Sequence, residues 1–295
     1  MSEVLAGLVR ATPLLLCGLA VSLAFRAGVW NIGAEGQFYA GAVAATWIGT
    51  RVAPSVPPVV LVVLVPLAAA TAGAVWAGVP AWLRARFGVL EVITTIMLNF
   101  IAEHGVAWLV HGPLQEAART YPQSDAIAPA ARLTPLLAGT RLTWAFPAAI
   151  LLALAAWFLV ARTRPGFALR AAGANPEAAR VTGRINVTRV TTVAFLASGA
   201  LAGLAGAAEV SGVTFALYER LSPGYGYTAI AVALLARLDP RWVVPSALFF
   251  GSLEAGASAL QRSAGIPSVT VYAVEALVVL GVVALDRQVW RARPA

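Results

Sequence analysis

Val59-Val60-Leu61-Val62-Val63-Leu64-Val65-Pro66-Leu67-Ala68-Ala69-Ala70-Thr71-Ala72-Gly73-Ala74-Val75-Trp76-Ala77-Gly78-Val79-Pro80-Ala81-Trp82 runs for 24 residues without a charge. About 20 such residues cross a bilayer as a helix. This stretch therefore reads as a transmembrane span. Further apolar runs lie on both sides of it, at 11–25, 35–50, 88–110, 143–161, 190–212, 226–236, 242–261 and 269–285. With 59–82 they make about nine spans. Composition agrees: of 295 residues, 60% are hydrophobic and 12% charged, and the mean hydropathy is +0.80. A soluble domain carries about 25% charged residues, so a soluble globular chain and a disordered one are both excluded. The expected fold is all-α, a polytopic helical bundle forming one transmembrane domain over 1–295. No room remains for a soluble catalytic domain.

The runs 35–50 and 226–236 are short, and each follows a Gly-rich break. The breaks are Asn31-Ile32-Gly33-Ala34-Glu35-Gly36 and Ser222-Pro223-Gly224-Tyr225-Gly226. Interrupted helices are tolerated at membrane depth only where the backbone is buried in protein or lines a cavity. Paired breaks in the two halves of a chain point to a transport site. In the first break, Asn31, Glu35 and Gln37 stand close together, and Asn99 sits in mid-span with Thr94 and Thr95 nearby. A carboxylate in hydrocarbon is costly and should face protein or water. Asn and Gln both donate and accept hydrogen bonds, as sugar hydroxyls and base edges require. These four residues are candidates for a substrate pathway. A helix-packing cluster that satisfies the broken backbone is the competing reading.

All 21 basic residues are Arg, against 13 acidic ones. With no Lys there is no P-loop of the Gly-x-x-x-x-Gly-Lys-Ser/Thr type, so this chain is expected to bind no ATP. The Arg excess reads as cytoplasmic loop charge, and nucleic acid is not an expected partner. If 162–189 is inside, 14 arginines fall inside and 7 outside, among them Arg10, Arg141, Arg220 and Arg262. That orientation puts 112–142 outside as a Pro-rich capping loop. The lone Cys17 excludes an intramolecular disulfide and a Cys-rich metal site. No His-Glu-x-x-His or Gly-x-Ser-x-Gly occurs, so neither a metal site nor a catalytic residue is expected. Ser198, Gly199, Gly203 and Gly206 form a small-residue stripe suited to close helix packing.

Within 162–189, Asn175 suits an N-cap, Pro176 the first helical position and Glu177 the positive end of the dipole. Gly183 suits the end of the helix. A short cytoplasmic helix over 175–183 follows, and it needs something to dock against.

These residues resemble a known family. Glu177-Ala178-Ala179-x-x-x-Gly183 resembles the coupling motif of permease subunits of bacterial ABC importers. Phe25 to Gln37, Glu91 to Ala102 and Gly224 to Leu235 are similar to signatures of the simple-sugar and nucleoside branch. The chain resembles the branched-chain amino acid, ribose and nucleoside permease superfamily from about residue 10 to 285, most of all its nucleoside members. The resemblance implies transport by alternating access, without covalent change to substrate, in the bacterial plasma (inner) membrane. It implies three protein partners: a cytoplasmic ABC ATPase that binds the ATP, a second and distinct permease subunit, and an extracytoplasmic substrate-binding protein. Lipid surrounds the chain. Contact with the ATPase falls to Gly173, Asn175, Pro176, Glu177, Ala178, Ala179 and Gly183. Members of the family usually start with one more helix, and this chain begins near where that helix would end; either a helix precedes residue 1 or this member lacks it. A proton- or sodium-coupled secondary transporter, using Glu35, Glu103, Glu209, Glu254 or Glu275, is the alternative.

Overall fold

The computed structural model describes residues 3–181 and 185–264, together with 273, 276–277 and 280–281. Ten α-helices occupy the described residues, and no strand does. They are α1 (Glu3–Arg26), α2 (Ala34–Trp47), α3 (Pro58–Phe87), α4 (Glu91–His111), α5 (Ala145–Arg162), α6 (Arg164–Ala174), α7 (Pro176–Val181), α8 (Val187–Glu209), α9 (Tyr225–Leu235) and α10 (Pro240–Ala264). Single π-turns extend α2 to Val52 and α8 to Thr214. Eight of these helices coincide with the first eight apolar runs. Six are long and apolar enough to cross a membrane, whereas α2 and α9 are short. The ninth run, 269–285, falls largely outside the described residues, and the described part of the chain is a helical membrane bundle.

The core forms around α1, α2 and α8, whose buried residues are mostly Ala, Leu, Gly and Val. The glycine stripe sets the spacing. A methyl on Gly203 would overlap the Ala69 carbonyl of α3, and one on Gly199 would overlap the Gly73 carbonyl. A methyl on Gly206 would overlap the Phe38 carbonyl of α2. Backbone thus meets backbone, which suits helices that gain no hydrophobic drive from lipid. The lipid-facing sides of α3 and α5 stay apolar, with Val59, Val62, Val75, Leu151 and Phe158 exposed.

Connections segregate to two ends. At one, the loop after α4 pairs with the residues after α8: Ser124 N–H donates to Leu217 O (2.7 Å), Ile127 N–H to Phe215 O (2.8 Å) and Leu133 N–H to Ser211 O (2.9 Å). At the other, Trp30 N–H donates to Glu91 (3.2 Å), which also pairs with Arg84 at 3.5 Å. The segment 162–189 sits at this second end and holds two helices. The expected surface helix starts on Pro176 and reaches Val181; Gly183 lies outside the described residues. Ahead of it stands α6, which apolar periodicity does not announce, because it offers only Phe167 and Leu169 as large apolar residues.

Candidate functional site

The two Gly-rich breaks meet. After α1 the chain turns back into the bundle, and α2 starts at depth beside the start of α9. A Cβ on Gly226 would overlap the backbone nitrogen of Glu35, so only glycine allows this approach. A helix start leaves N–H groups unpaired, and here each start is capped from another element. In α2, the Gly36 N–H donates to Asn99 Oδ1 of α4 at 2.8 Å. In α9, the Gly226 N–H donates to Glu35 Oε2 of α2 at 2.6 Å. The Ser222 hydroxyl also bonds the Glu35 carboxylate, and its oxygen accepts from the N–H groups of Gly224 (3.0 Å) and Tyr225 (2.9 Å). The carboxylate thus sits at the positive end of two helix dipoles, its own and that of α9.

Asn31 closes the first break. Its Oδ1 accepts from Gly33 N–H (2.9 Å) and Gln37 Nε2 (3.0 Å). Its Nδ2 donates to Gln37 Oε1 (3.0 Å) and to Ser198 Oγ (2.9 Å), and Ser198 in turn donates to Ala20 O (2.7 Å). The amide thereby fills its full complement of bonds. Asn99 uses its Nδ2 on Ile32 O (2.9 Å) and on Tyr227 Oη (3.3 Å). All four candidate pathway residues are buried and gathered at one crossing. Ser198, Ser222 and Tyr227 join them, although the sequence did not nominate these three for the pathway. Ser222 carried a signal, a hydroxyl two and three residues ahead of Gly224-Tyr225, the spacing of a side-chain-closed turn. Tyr227 is the member that reaches the surface, at 42% exposed.

At the 162–189 end, Asn175 Oδ1 accepts from the N–H groups of Glu177 (3.1 Å) and Ala178 (3.0 Å), an N-cap ahead of Pro176. Ala179 turns inward and packs with Ala172 of α6 and Val187 of α8. Pro176, Glu177, Ala178, Arg180 and Val181 face out. Gly173 lies in close packing. A Cβ there would overlap the Arg26 carbonyl, so its absence lets α6 lie across the end of α1. Nearby, the turn between α9 and α10 is closed by Asp239, which accepts from Arg241 Nη2 (2.9 Å) and from its N–H (3.0 Å). The Arg241 hydrogen bond holds the Asp239 carboxyl below its ordinary range.

No group of three or more His, Cys, Asp or Glu side chains that could hold a metal ion occurs among the described residues. Glu254 pairs with Arg10 at 3.6 Å, Glu209 lies near Arg10 and Arg141, and Glu275 is outside the described residues.

Short half-helices capped inside a polytopic bundle are common in transport proteins, and relatives of known kind bear on which. The model of the family described as branched-chain amino acid transport system / permease component matches residues 3–283. The chain belongs to that family. The permease is 42% identical to the glucose ABC transporter permease protein of Haloferax volcanii, over 92% of this chain and 74% of the relative. It is 37% identical to one guanosine ABC transporter permease protein of Bacillus subtilis, over 92% of this chain and 78% of that one. A second guanosine permease protein of the same organism matches at 28% over 97% of this chain and 92% of its own length. The permease is thus a multi-pass membrane component of an ABC transporter and not an enzyme. As such it works with an ATPase and a substrate-binding partner.

Proposed function

We propose that the permease carries a nucleoside or a simple sugar across the bacterial plasma membrane by alternating access, driven by ATP bound in a separate cytoplasmic subunit. The observation that carries this reading is α7, a capped helix pinned to the bundle by Ala179 with its other residues turned outward. A surface helix so held transmits a push from a docked partner into α6 and α8, and α8 packs on both α2 and α3. In this reading Gly173, Asn175, Pro176 and Ala179 seat the helix, while Glu177, Ala178 and Arg180 meet the ATPase. Asn31, Glu35, Gln37 and Asn99 spend their polar atoms on the crossing, so they serve the pathway by holding it, and Tyr227 presents it to the path. The relatives named for glucose and guanosine support a neutral, hydroxyl-rich substrate. Two distinct guanosine permease proteins in one organism support a second, unlike permease subunit as the other half of the pathway.

The test is uptake of labelled guanosine and glucose into cells expressing the permease with its partners. Under this reading uptake stops on ATP depletion and survives a proton uncoupler. The reverse pattern assigns the protein to the proton-coupled class instead.

A further inference from the structure

Opposite the α7 end, four arginines far apart in sequence converge. Arg10 of α1, Arg141 ahead of α5, Arg220 between α8 and α9, and Arg262 in the last turn of α10 line one cavity of about 490 Å³. Glu209 lines the same cavity. Arg10 is already engaged, by Glu254 at 3.6 Å and by Ser258 Oγ at 2.9 Å. Among the described residues, Arg141, Arg220 and Arg262 have no hydrogen bond or ion pair. Four guanidinium groups thus face two carboxylates, Glu209 in the cavity and Glu254 beside it, leaving an excess of two positive charges. The neutral substrates named for the relatives do not call for such an excess.

Arg10 stands seven residues inside the start of α1, which is about 10 Å along the helix axis. The cavity reaches past it to Tyr225, where α9 begins. Its buried lining holds Val9, Leu221 and Ala255 alongside Glu209 and Tyr225. Exposed Arg141, Arg220 and Arg262 beside buried Val9, Leu221 and Ala255, at the ends of membrane-spanning helices, suit the headgroup and upper chain of an amphiphile. Guanidinium pairs bind phosphate through parallel N–H bonds, with geometry that an ammonium lacks.

The geometry points to an oxyanion site at this end of the permease, taking a phosphate group such as that of an anionic lipid headgroup. It is distinct from the crossing and from α7, and it does not depend on which substrate is carried.

The experiment uses the permease purified in detergent with its partner subunits and three probes: dioctanoyl phosphatidylglycerol, dioctanoyl phosphatidylcholine and inorganic phosphate. Binding is read by native mass spectrometry and by thermal shift. Phosphatidylglycerol is expected to bind about tenfold or more tightly than phosphatidylcholine, and R141Q/R220Q is expected to lose that preference. Arg262→Gln, on an exposed last turn, provides a second removal should the double variant not fold. The control pair R51Q/R119Q removes two charges outside the cavity and is expected to keep it. Competition by inorganic phosphate at concentrations that match the lipid would make the ligand a solution oxyanion; absence of competition would make it the lipid headgroup. Both results keep the site. Equal binding of the two lipids, or an equal loss in the control pair, overturns it. So does loss of the substrate-binding protein from R141Q/R220Q with lipid binding intact, which would assign the arginines to protein docking.

Discussion

Glu35 is the most informative residue to change, because its carboxylate joins the two half-helices. Glu35→Ala removes the acceptor of the 2.6 Å bond from Gly226 N–H and of the Ser222 hydroxyl. A buried donor left unpaired costs about 1–3 kcal/mol. Losing the carboxylate at the start of α9 adds about 0.3–1 kcal/mol. The sum, roughly 1–4 kcal/mol, is expected to lower the melting midpoint by several degrees, up to on the order of 10 °C. Glu35→Gln keeps an oxygen for Gly226 but as a neutral acceptor, with about half the strength. Its amide nitrogen then faces a Ser222 oxygen that already accepts from two N–H groups. A loss of about 1–2 kcal/mol follows. The assay pairs fluorescence-detected thermal unfolding in detergent with uptake normalised to folded, membrane-inserted protein. Stability should fall in the order wild type, Gln, Ala, with normalised uptake of the Gln variant close to wild type. A Gln variant of wild-type stability that has lost uptake would refute the clamp and show that the charge itself takes part in transport. If the pH dependence of uptake disappeared with it, the proton-coupled reading would gain the support it lacks.

Four further expectations follow from the same contacts. Ala179→Glu puts a charge into the Ala172–Val187 cluster and should unseat α7, whereas the outward Ala178→Glu should leave the protein folded and weaken ATPase copurification and uptake; full ATPase binding and uptake in Ala178→Glu would remove the docking assignment. Gly203→Ala should cost about 1–3 kcal/mol by overlap with the Ala69 carbonyl, while Gly105→Ala in α4, where a methyl meets nothing, should be neutral or stabilising by thermal unfolding. In a Cys17→Ser background, Asp125→Cys should react with an impermeant maleimide from outside and Arg180→Cys only after permeabilisation; the opposite pattern would invert the orientation. Because the Asp239 carboxyl is held below its ordinary range, the stability it contributes is present above the unfolded value and lost as pH falls through the folded one. Acid unfolding of Asp239→Asn should therefore lack that step.

The apolar runs were legible because hydrocarbon thickness dictates span length, and eight of them recur as helices with ends shifted by a few residues. The surface helix was legible from its cap: Asn175 and Pro176 do locally what any helix start requires. By contrast α6 hides from periodicity, although Thr163 marks its start and accepts from Gly166 N–H at 3.2 Å, with Pro165 beside it. What no local reading could supply was the meeting of the two breaks. Gly226 looks like one turn glycine among several, and only the neighbouring backbone of Glu35 shows why a methyl is forbidden there. Amide and carboxylate side chains suit a substrate and a bare helix end equally well, so the types of Asn31, Glu35, Gln37 and Asn99 left both readings open.

The hydrogen bonds put one of the two demands ahead of the other. A half-helix that starts inside a bilayer leaves donors that water cannot reach, and each unpaired one is expensive. Asn99 for α2 and Glu35 for α9 answer that demand first. The crossing therefore needs its polar residues whether or not a substrate touches them. A substitution there tests transport only when folding has been measured alongside it. Tyr227 is where the two demands separate. Its hydroxyl contacts Asn99, yet its ring is largely out of the core. Tyr227→Phe removes a long hydrogen bond that leaves Asn99 Nδ2 still bonded to Ile32 O, so it should cost under about 1 kcal/mol of stability. A fall in normalised uptake larger than that small loss explains would place the path beside Tyr227. Uptake that merely tracks folded protein would move the path away from this face of the crossing.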